Sequence, residues 1–203
     1  MRIGFSAPRI LDFDVESRPL GWYGGDFVHQ EITAIAMAWV VNGEPEDLES
    51  RTLTKTDRTP ARLLRWFLGR YQEADMVTGH YIRGFDLPLI NAGLIELDMG
   101  TLAPILSHDT KLDKIKTHGI SSSQENLGAM LETADAKVNM NTQKWRRANR
   151  LQPDGITEAR QRVEGDVIQH IQLRNEMLRR GILGKPRVWD PGSTSFGGGD
   201  YTP

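Results

Sequence analysis

Residues 9–19 read RILDFDVESRP, and this stretch combines the pattern of a buried β-strand with three acidic side chains. Asp12, Asp14 and Glu16 stand at alternate positions, and alternate side chains of a strand point to the same face of a sheet. Carboxylates so close together repel one another unless positive charge compensates them. The stretch therefore predicts a strand with an acidic face, and it predicts a source of positive charge opposite that face.

The chain around this strand predicts the element order β-β-β-α-β-α-β, followed mostly by helix. Runs of β-formers that end at turn signals such as Asn42-Gly43 predict strands, and apolar side chains three or four residues apart predict helices. This order is typical of an α/β domain, and we expect a mixed five-stranded sheet flanked by helices, with three strands antiparallel and two added in parallel. The predicted strands lie within residues 9–19, 31–44, 48–54, 74–80 and 103–110, and the predicted helices within residues 60–71, 85–97, 121–132 and 156–180.

Length and composition limit the classes of protein to consider. The 203 residues suffice for one sizeable domain, which we expect over residues 1–181, with a tail rich in Gly, Pro and Ser over residues 182–203 that is poorly ordered or draped over the surface. The absence of cysteine excludes disulfides, thiolate catalysis and zinc-thiolate sites. The formal charge of −2 gives no overall field for a polyanion or a membrane. With no signal-peptide pattern and no long apolar run, we expect a cytoplasmic protein without a membrane partner.

Two further acids occur where apolar secondary structure should exclude them. Asp86 stands between Phe85 and Leu87 at the start of an apolar helix, and Asp166 borders the apolar stripe of the last helix. Together with Asp14 and Glu16 they form a set of four carboxylates, which can share a pocket only with a multivalent cation. Oxygen ligands select Mg²⁺ or Mn²⁺. Two such ions suit phosphodiester hydrolysis, because they activate a water and stabilise the leaving oxygen.

Three segments that carry these acids resemble a known family. DFDVES (12–17), GHYIRGFDLPLI (79–90) and VEGDV (163–167) resemble, in order, the three exonuclease motifs of the DnaQ-like DEDD 3′-5′ exonucleases of the RNase H-like superfamily. The resemblance spans about residues 8–178 and is nearest to the proofreading domains of family B DNA polymerases and their stand-alone relatives.

The resemblance implies a fold, a site and an activity. It implies an RNase H-like fold in which Asp14 and Glu16 are the acids of the first motif, Asp86 that of the second and Asp166 that of the third. It further implies two Mg²⁺ or Mn²⁺ ions, hydrolysis of DNA from single-stranded 3′ ends, and a DNA polymerase or replication complex as a candidate partner. RNA as the substrate stays open, because the sequence offers no test of ribose against deoxyribose.

The third motif departs from the family at the residue that orients or deprotonates the attacking water. The family has tyrosine four residues before the last acid or histidine five before it, and here those positions are Arg162 and Gln161. Arginine cannot accept a proton, although Arg162 could bind the scissile phosphate. The candidate general bases are therefore His170, His80 and Tyr81, and a mechanism without a protein base or a weak or inactive nucleic-acid-binding module stays open.

Basic residues at two places are candidate nucleic-acid contacts. Arg83 lies beside the second motif, and residues 144–150 (KWRRANR) surround Trp145 with positive charge. A solvated helix face explains the second cluster equally well. For His108 and Asp109 we favour a structural interpretation, in which Asp109 and Thr110 cap a helix after a buried strand. The candidate substrate-binding residues are Arg83, Arg162, Lys144, Arg146 and Arg147.

A second enzyme class also has a D-x-D after an apolar run. ILDFDV fits the opening motif of haloacid dehalogenase-like phosphatases, with Asp12 as nucleophile and Asp14 as acid/base. This interpretation leaves Glu16 without a role. It also needs a later G-D-x-x-x-D, and the nearest match, GDVIQH, ends in His170 instead of an acid. The phosphatase is therefore the weaker alternative.

Overall fold

The computed structural model of the protein describes residues 7–20, 28–133 and 138–193. Its elements follow the predicted order and continue with three helices and one more strand. The strands are β1 (Ile10–Pro19), β2 (Gln30–Val41), β3 (Glu44–Thr52), β4 (Met76–Gly79), β5 (Ile105–Asp109) and β6 (Arg187–Trp189); the helices are α1 (Ala61–Glu73), α2 (Asp86–Glu96), α3 (Gln124–Met130), α4 (Thr142–Asn149) and α5 (Pro153–Arg179).

The described strands form one mixed sheet in the order β3-β2-β1-β4-β5-β6. Strands β1, β2 and β3 pair antiparallel, β4 and β5 run parallel to β1, and β6 pairs antiparallel with β5. The hairpin between β2 and β3 turns at Asn42 and Gly43, whose φ angles of 54° and 83° both lie in the left-handed region, as the Asn-Gly signal predicts. The α/β arrangement predicted from the sequence is confirmed.

The sixth strand is a difference from the predicted five-stranded sheet. Arg187–Trp189 lies in the segment expected to be an irregular tail, but it pairs with residues 105–107 at the edge of the sheet. Three residues are too few to show an alternating pattern, so only the pairing with β5 identifies this strand. Residues 194–203 of the predicted tail lie outside the described residues, and the domain boundary at residue 181 stays a prediction.

The two faces of β1 have different neighbours. Leu11, Phe13 and Val15 pack into the main apolar core, to which α1 and α2 contribute. Asp12, Asp14 and Glu16 lie on the opposite face, where their antiparallel partners on β2 are Ala38, Ala36 and Ala34. Because these alanines are small, α5 packs directly on this face of the sheet. Its contacts with the alanines come from Val163, Val167 and Ile171.

One glycine brings the second sequence motif close to β1. A Cβ on Gly79, at the end of β4, would lie 2.2 Å from Cγ2 of Ile82 and 2.9 Å from the carbonyl oxygen of Phe13. Any larger residue would therefore push β4 away from β1 or displace the loop that follows. That loop, residues 80–85, leads directly into α2, so Gly79 fixes the approach of α2 to β1.

Among the described residues, no helix is both long enough and apolar enough to cross a membrane.

Candidate active site

Three of the four predicted acids come together between β1 and α5. One carboxylate oxygen of each of Asp14, Glu16 and Asp166 lies within 4.8 Å of those of the other two. Asp14 and Glu16 share the face of β1 that is turned to α5, and Asp166 lies on the side of α5 that packs on the sheet. Asp166 is buried, whereas Asp14 and Glu16 are half-buried, so the cluster is partly accessible to solvent.

The fourth predicted acid, Asp86, is hydrogen-bonded to β1, the strand that carries Asp14 and Glu16. It is the first residue of α2 and is buried, and its Oδ1 accepts a hydrogen bond from the backbone N–H of Val15 at 3.2 Å. Val15 stands between Asp14 and Glu16, so this bond places Asp86 beside the other three acids. Burial raises the pKa of Asp86, the negative charges of Asp109 and Asp166 raise it too, and the bond from Val15 lowers it, so that the pKa is about 7.

All four acids line one open pocket of about 370 Å³. Its volume falls in the range of small-ligand sites. Hard carboxylate oxygens from three separate elements are the ligands that Mg²⁺ and Mn²⁺ prefer, and the spacing of the Asp14, Glu16 and Asp166 oxygens suits a shared cation, so the residues present fit such an ion. The pocket is also lined by His80, Tyr81, Phe85, Lys111, Ser123, Gln124, Glu125 and Arg162.

Arg162 supplies positive charge to this acidic cluster. Its Nε lies 2.7 Å from Oδ2 of Asp166 and 3.9 Å from Oε1 of Glu16, and its Nη1 donates to the carbonyl oxygen of Val138 at 3.2 Å. The position that carries a water-orienting tyrosine in the resembled family thus carries a cation paired with the acids themselves. Part of the positive charge expected opposite the acidic face of β1 comes from the protein.

Two of the three candidate bases line the pocket, and the third lies behind it. His80 and Tyr81 belong to the lining. His170 is buried and contacts the pocket only indirectly: its Nδ1 lies 2.5 Å from Oδ2 of Asp12, and its Nε2 lies 3.0 Å from Oγ1 of Thr110. His170 therefore cannot reach a pocket water without an intermediary, which corrects its place among the candidate bases.

Asp12 belongs to the core and not to the pocket. Its side chain is fully buried beside His170. Burial raises the pKa of Asp12, while the charges of His170 and Arg174 and the hydrogen bond from His170 lower it. A nucleophile needs an open path to substrate, so this burial argues against the phosphatase alternative, which assigned that role to Asp12.

Of the five candidate substrate-binding residues, only Arg162 lines the acidic pocket. Arg83 is held by a buried two-point ion pair with Asp113, at 3.0 and 2.6 Å, and lines a neighbouring groove of about 730 Å³. Lys144 and Arg147 of α4 both pair with Glu158 of α5, at 3.8 and 2.9 Å. The side chain of Arg146 is exposed. Contact of these residues with substrate stays a prediction.

Asp109 has a role that the sequence did not reveal. Its carboxylate accepts four hydrogen bonds from backbone N–H groups, each 3.0 Å long. Two come from Tyr81 and Arg83 in the loop after β4, and two come from Lys111 and Leu112 in the turn after β5. The expected helix after Asp109 is absent, since residues 110–113 form turns and a bend. The predicted helix cap was wrong because the residue caps a turn and also holds the loop after β4. The ends of parallel neighbours β4 and β5 meet there, and no local pattern predicts that meeting.

Tyr81 and Lys111 form a second contact that sequence reasoning missed. Tyr81 has a left-handed φ of 69°, which the bond to Asp109 helps to hold. Nζ of Lys111 lies 3.8 Å from the centre of the Tyr81 ring. Tyr81, Phe85 and Lys111 all line the acidic pocket, and the rings of Tyr81 and Phe85 are exposed.

Comparison with known proteins supports the fold. The chain matches no protein-family model and no curated protein. Among solved structures it is similar to the family B DNA polymerase from the hyperthermophilic archaeon Pyrobaculum calidifontis, with a TM-score of 0.60 and 19% identity over 86% of this chain and 25% of the polymerase chain. The chain thus corresponds to about a quarter of that polymerase. At this identity the likeness establishes the α/β fold, which is consistent with the expected RNase H-like architecture.

Proposed function

We propose that this protein is a metal-dependent 3′-5′ exonuclease that hydrolyses phosphodiester bonds of DNA, with single-stranded 3′ ends preferred. The observation that carries the proposal is the meeting of Asp14, Glu16 and Asp166 beside Asp86 in one open pocket. The acids of three separated sequence motifs meet there, on a fold similar to part of a family B DNA polymerase. Proofreading or trimming of 3′ ends in DNA replication, beside a polymerase, follows as part of this proposal.

The donor set explains why a cation belongs to this function. A phosphodiester is an anion, and four carboxylates would repel it unless positive charge stood between them. Asp14, Glu16 and Asp166 would hold Mg²⁺ or Mn²⁺, two ions in all, and Asp86 would bind directly or through water. When bound, these ions supply the charge that activates a water and stabilises the leaving oxygen.

Other pocket residues suit the rest of a nucleotide. Arg162 and Lys111 can pair with phosphate oxygens as the strand enters, because both line the acidic pocket. Tyr81 and Phe85 expose aromatic rings beside the acids, and such rings stack on unpaired bases. A nucleobase must be unpaired to stack in this way, so these rings favour single-stranded DNA ends as the substrate.

One observation favours a second candidate, a nucleic-acid-binding module without turnover. Arg162 stands where the resembled family has its water-orienting residue, and it is paired with Asp166. A guanidinium in this place could stabilise the acids without any metal. Against this candidate, binding alone gives no reason for four carboxylates in the path of a polyanion.

A labelled oligonucleotide separates these candidates. The purified protein, given a 5′-labelled single-stranded DNA with Mg²⁺ or Mn²⁺, should produce a descending ladder, and a matched RNA tests the RNA-directed alternative. Asp14→Asn should remove the ladder while the circular dichroism spectrum stays unchanged. The control is Glu96→Gln, which removes an exposed acid at the far end of α2 and should leave the rate unchanged. Intact oligonucleotides of both kinds, in both metals, would overturn the enzymatic proposal and favour the binding module.

A further inference from the structure

A chain of polar side chains runs from the core of the protein to the acidic pocket. Oδ2 of Asp12 lies 2.5 Å from Nδ1 of His170, Nε2 of His170 lies 3.0 Å from Oγ1 of Thr110, and the same hydroxyl lies 2.9 Å from Nδ1 of His80. Asp12, His170 and Thr110 are buried, and His80 lines the pocket. One continuous hydrogen-bond path therefore connects a buried carboxylate with a histidine at the candidate active site.

The four members come from four different parts of the fold. Asp12 belongs to β1, His170 to α5, Thr110 to the turn after β5, and His80 to the loop after β4. Buried polar groups are costly unless each finds its partner, and apolar side chains could fill the same space. Stability alone therefore gives little reason to assemble these four groups.

The direction of the bonds follows from what each group can donate. A carboxylate only accepts, so Nδ1 of His170 donates to Asp12. Two acceptors are in reach of the single hydroxyl proton of Thr110: Nε2 of His170 when that imidazole is neutral, and the carbonyl oxygen of Gly79, at 3.4 Å, when His170 is charged and its Nε2 donates as well. The hydroxyl oxygen in turn accepts from Nδ1 of His80. His80 is thereby held as the tautomer with hydrogen on Nδ1, and its Nε2 keeps the lone pair.

We propose that Asp12, His170 and Thr110 are positioning residues that hold His80 as the general base of the acidic pocket. This inference rests on the proposed function for its chemical step. The water oxygen forms the new bond to phosphorus and gives its proton to Nε2 of His80. The bond from phosphorus to O3′ breaks with its electron pair on O3′, which takes a proton from solvent. The positive charge that His80 gains is linked through Thr110 and His170 to the carboxylate of Asp12.

This assignment accounts for the departure in the third motif. Arg162 occupies the position of the resembled family's water-orienting residue and cannot accept a proton. His80 lies in the loop before Asp86, so the base belongs to the second motif and not to the third. His170 acts on the pocket through Thr110 and His80 only.

The tautomer of His80 can be measured without metal or substrate. Long-range ¹H–¹⁵N correlation spectra of the full chain with ¹⁵N-labelled histidine, recorded at pH 8, distinguish the two neutral forms, and His80→Gln identifies the signal. We expect hydrogen on Nδ1 of His80 in the unaltered protein. Hydrogen on Nε2 would overturn the proposal, whether or not any variant folds.

Thr110→Val tests the link itself, because valine has nearly the shape of threonine without the hydroxyl. The His80 signal should change to the Nε2–H form that imidazole prefers in water, and kcat should fall about 10- to 100-fold with KM nearly unchanged. Thr110→Ser should restore both. An unchanged His80 tautomer in Thr110→Val would show that the hydrogen-bond path does not position His80, which would overturn the proposal.

Thr78→Val is the matched control. Thr78 is equally buried on the neighbouring strand β4, but its hydroxyl donates to the carbonyl oxygen of His108 at 2.9 Å. This variant should lose stability by a similar amount and keep the His80 tautomer and kcat. If the unaltered protein cuts no oligonucleotide, the proposed function fails, and with it the role of His80 as general base. The spectra would still show whether Asp12, His170 and Thr110 hold the His80 imidazole in the Nδ1–H tautomer.

Discussion

Nε of Arg162 lies 2.7 Å from Oδ2 of Asp166, one helical turn further along α5, and 3.9 Å from Oε1 of Glu16 on β1. The guanidinium thus carries part of the positive charge that the acidic cluster needs. A divalent cation bound by the same carboxylates would have to share them with Arg162 or displace it.

Arg162→Gln should therefore strengthen metal binding. Removing the guanidinium removes both a competitor for the carboxylates and a repelling charge, so the affinity for Mn²⁺ should rise about tenfold. The measurement is calorimetric titration of the protein with Mn²⁺. Arg160→Gln is the control, because Arg160 is an exposed arginine on the same helix, and its replacement should leave the affinity unchanged. An equal or lower affinity in Arg162→Gln would show that the arginine does not compete.

Stability without metal should depend on pH through Asp86. The pKa of this carboxyl is raised by burial from 3.8 to about 7 in the folded protein. Its stabilising contribution is therefore fully present below about pH 4 and is lost as pH rises through about 7, since the unfolded chain ionises first. The loss is on the order of a few kcal/mol. Urea unfolding at several pH values should show that the free energy of unfolding falls between about pH 4 and 7. Asp86→Asn should make this fall smaller.

The same substitution should affect metal binding at Asp14 and stability at Asp12. Asp14→Asn should sharply lower the affinity for Mn²⁺ and change stability little, because a half-buried ligand is lost. Asp12→Asn should lower the free energy of unfolding by about 3 kcal/mol, because it breaks the buried pair with His170. Its affinity for Mn²⁺ should stay close to that of the unaltered protein. Calorimetric titration and urea unfolding of both variants measure these effects, and a metal defect in Asp12→Asn would place that residue among the ligands.

Gly79→Ala and Gly69→Ala form a matched pair that should change the free energy of unfolding in opposite directions. A Cβ on Gly79 would meet Ile82 at 2.2 Å and the backbone of β1 at 2.9 Å, so alanine should lower the free energy of unfolding by about 1–3 kcal/mol. A Cβ on Gly69, inside α1, meets nothing within 4 Å, so alanine should raise it by about 0.5–1 kcal/mol. Urea unfolding measures both. Equal effects would mean that the loop after β4 is not tied to β1 through Gly79.

Some of the fold could be predicted because the signals are local. Alternation in residues 10–19 gave β1 and its acidic face, Asn42-Gly43 gave the hairpin, and helical spacing gave α1 and α5. The N-capped helix predicted near Ser123 is α3, and Ser123 accepts from the backbone N–H of Asn126 at 3.2 Å. Each of these depends on residues within a few positions of one another.

The features that sequence reasoning missed all depend on distant partners. β6 is a strand only because β5 is beside it. Asp109 caps a turn and holds the loop after β4 because the ends of two parallel strands meet. The partners Asp12 and His170 are 158 positions apart, too far for any periodic pattern to relate them.

The sequence by itself determined that Asp12, Asp14 and Glu16 share one face and that Asp166 and His170 lie one turn apart on the last helix. Only the tertiary structure decided which acid meets which residue of α5. Two residues along a strand advance about 6.6 Å, and four residues along a helix advance about 6 Å. Because α5 runs antiparallel to β1 at this matched spacing, Asp166 joins Asp14 and Glu16 at the pocket while His170 reaches Asp12 in the core.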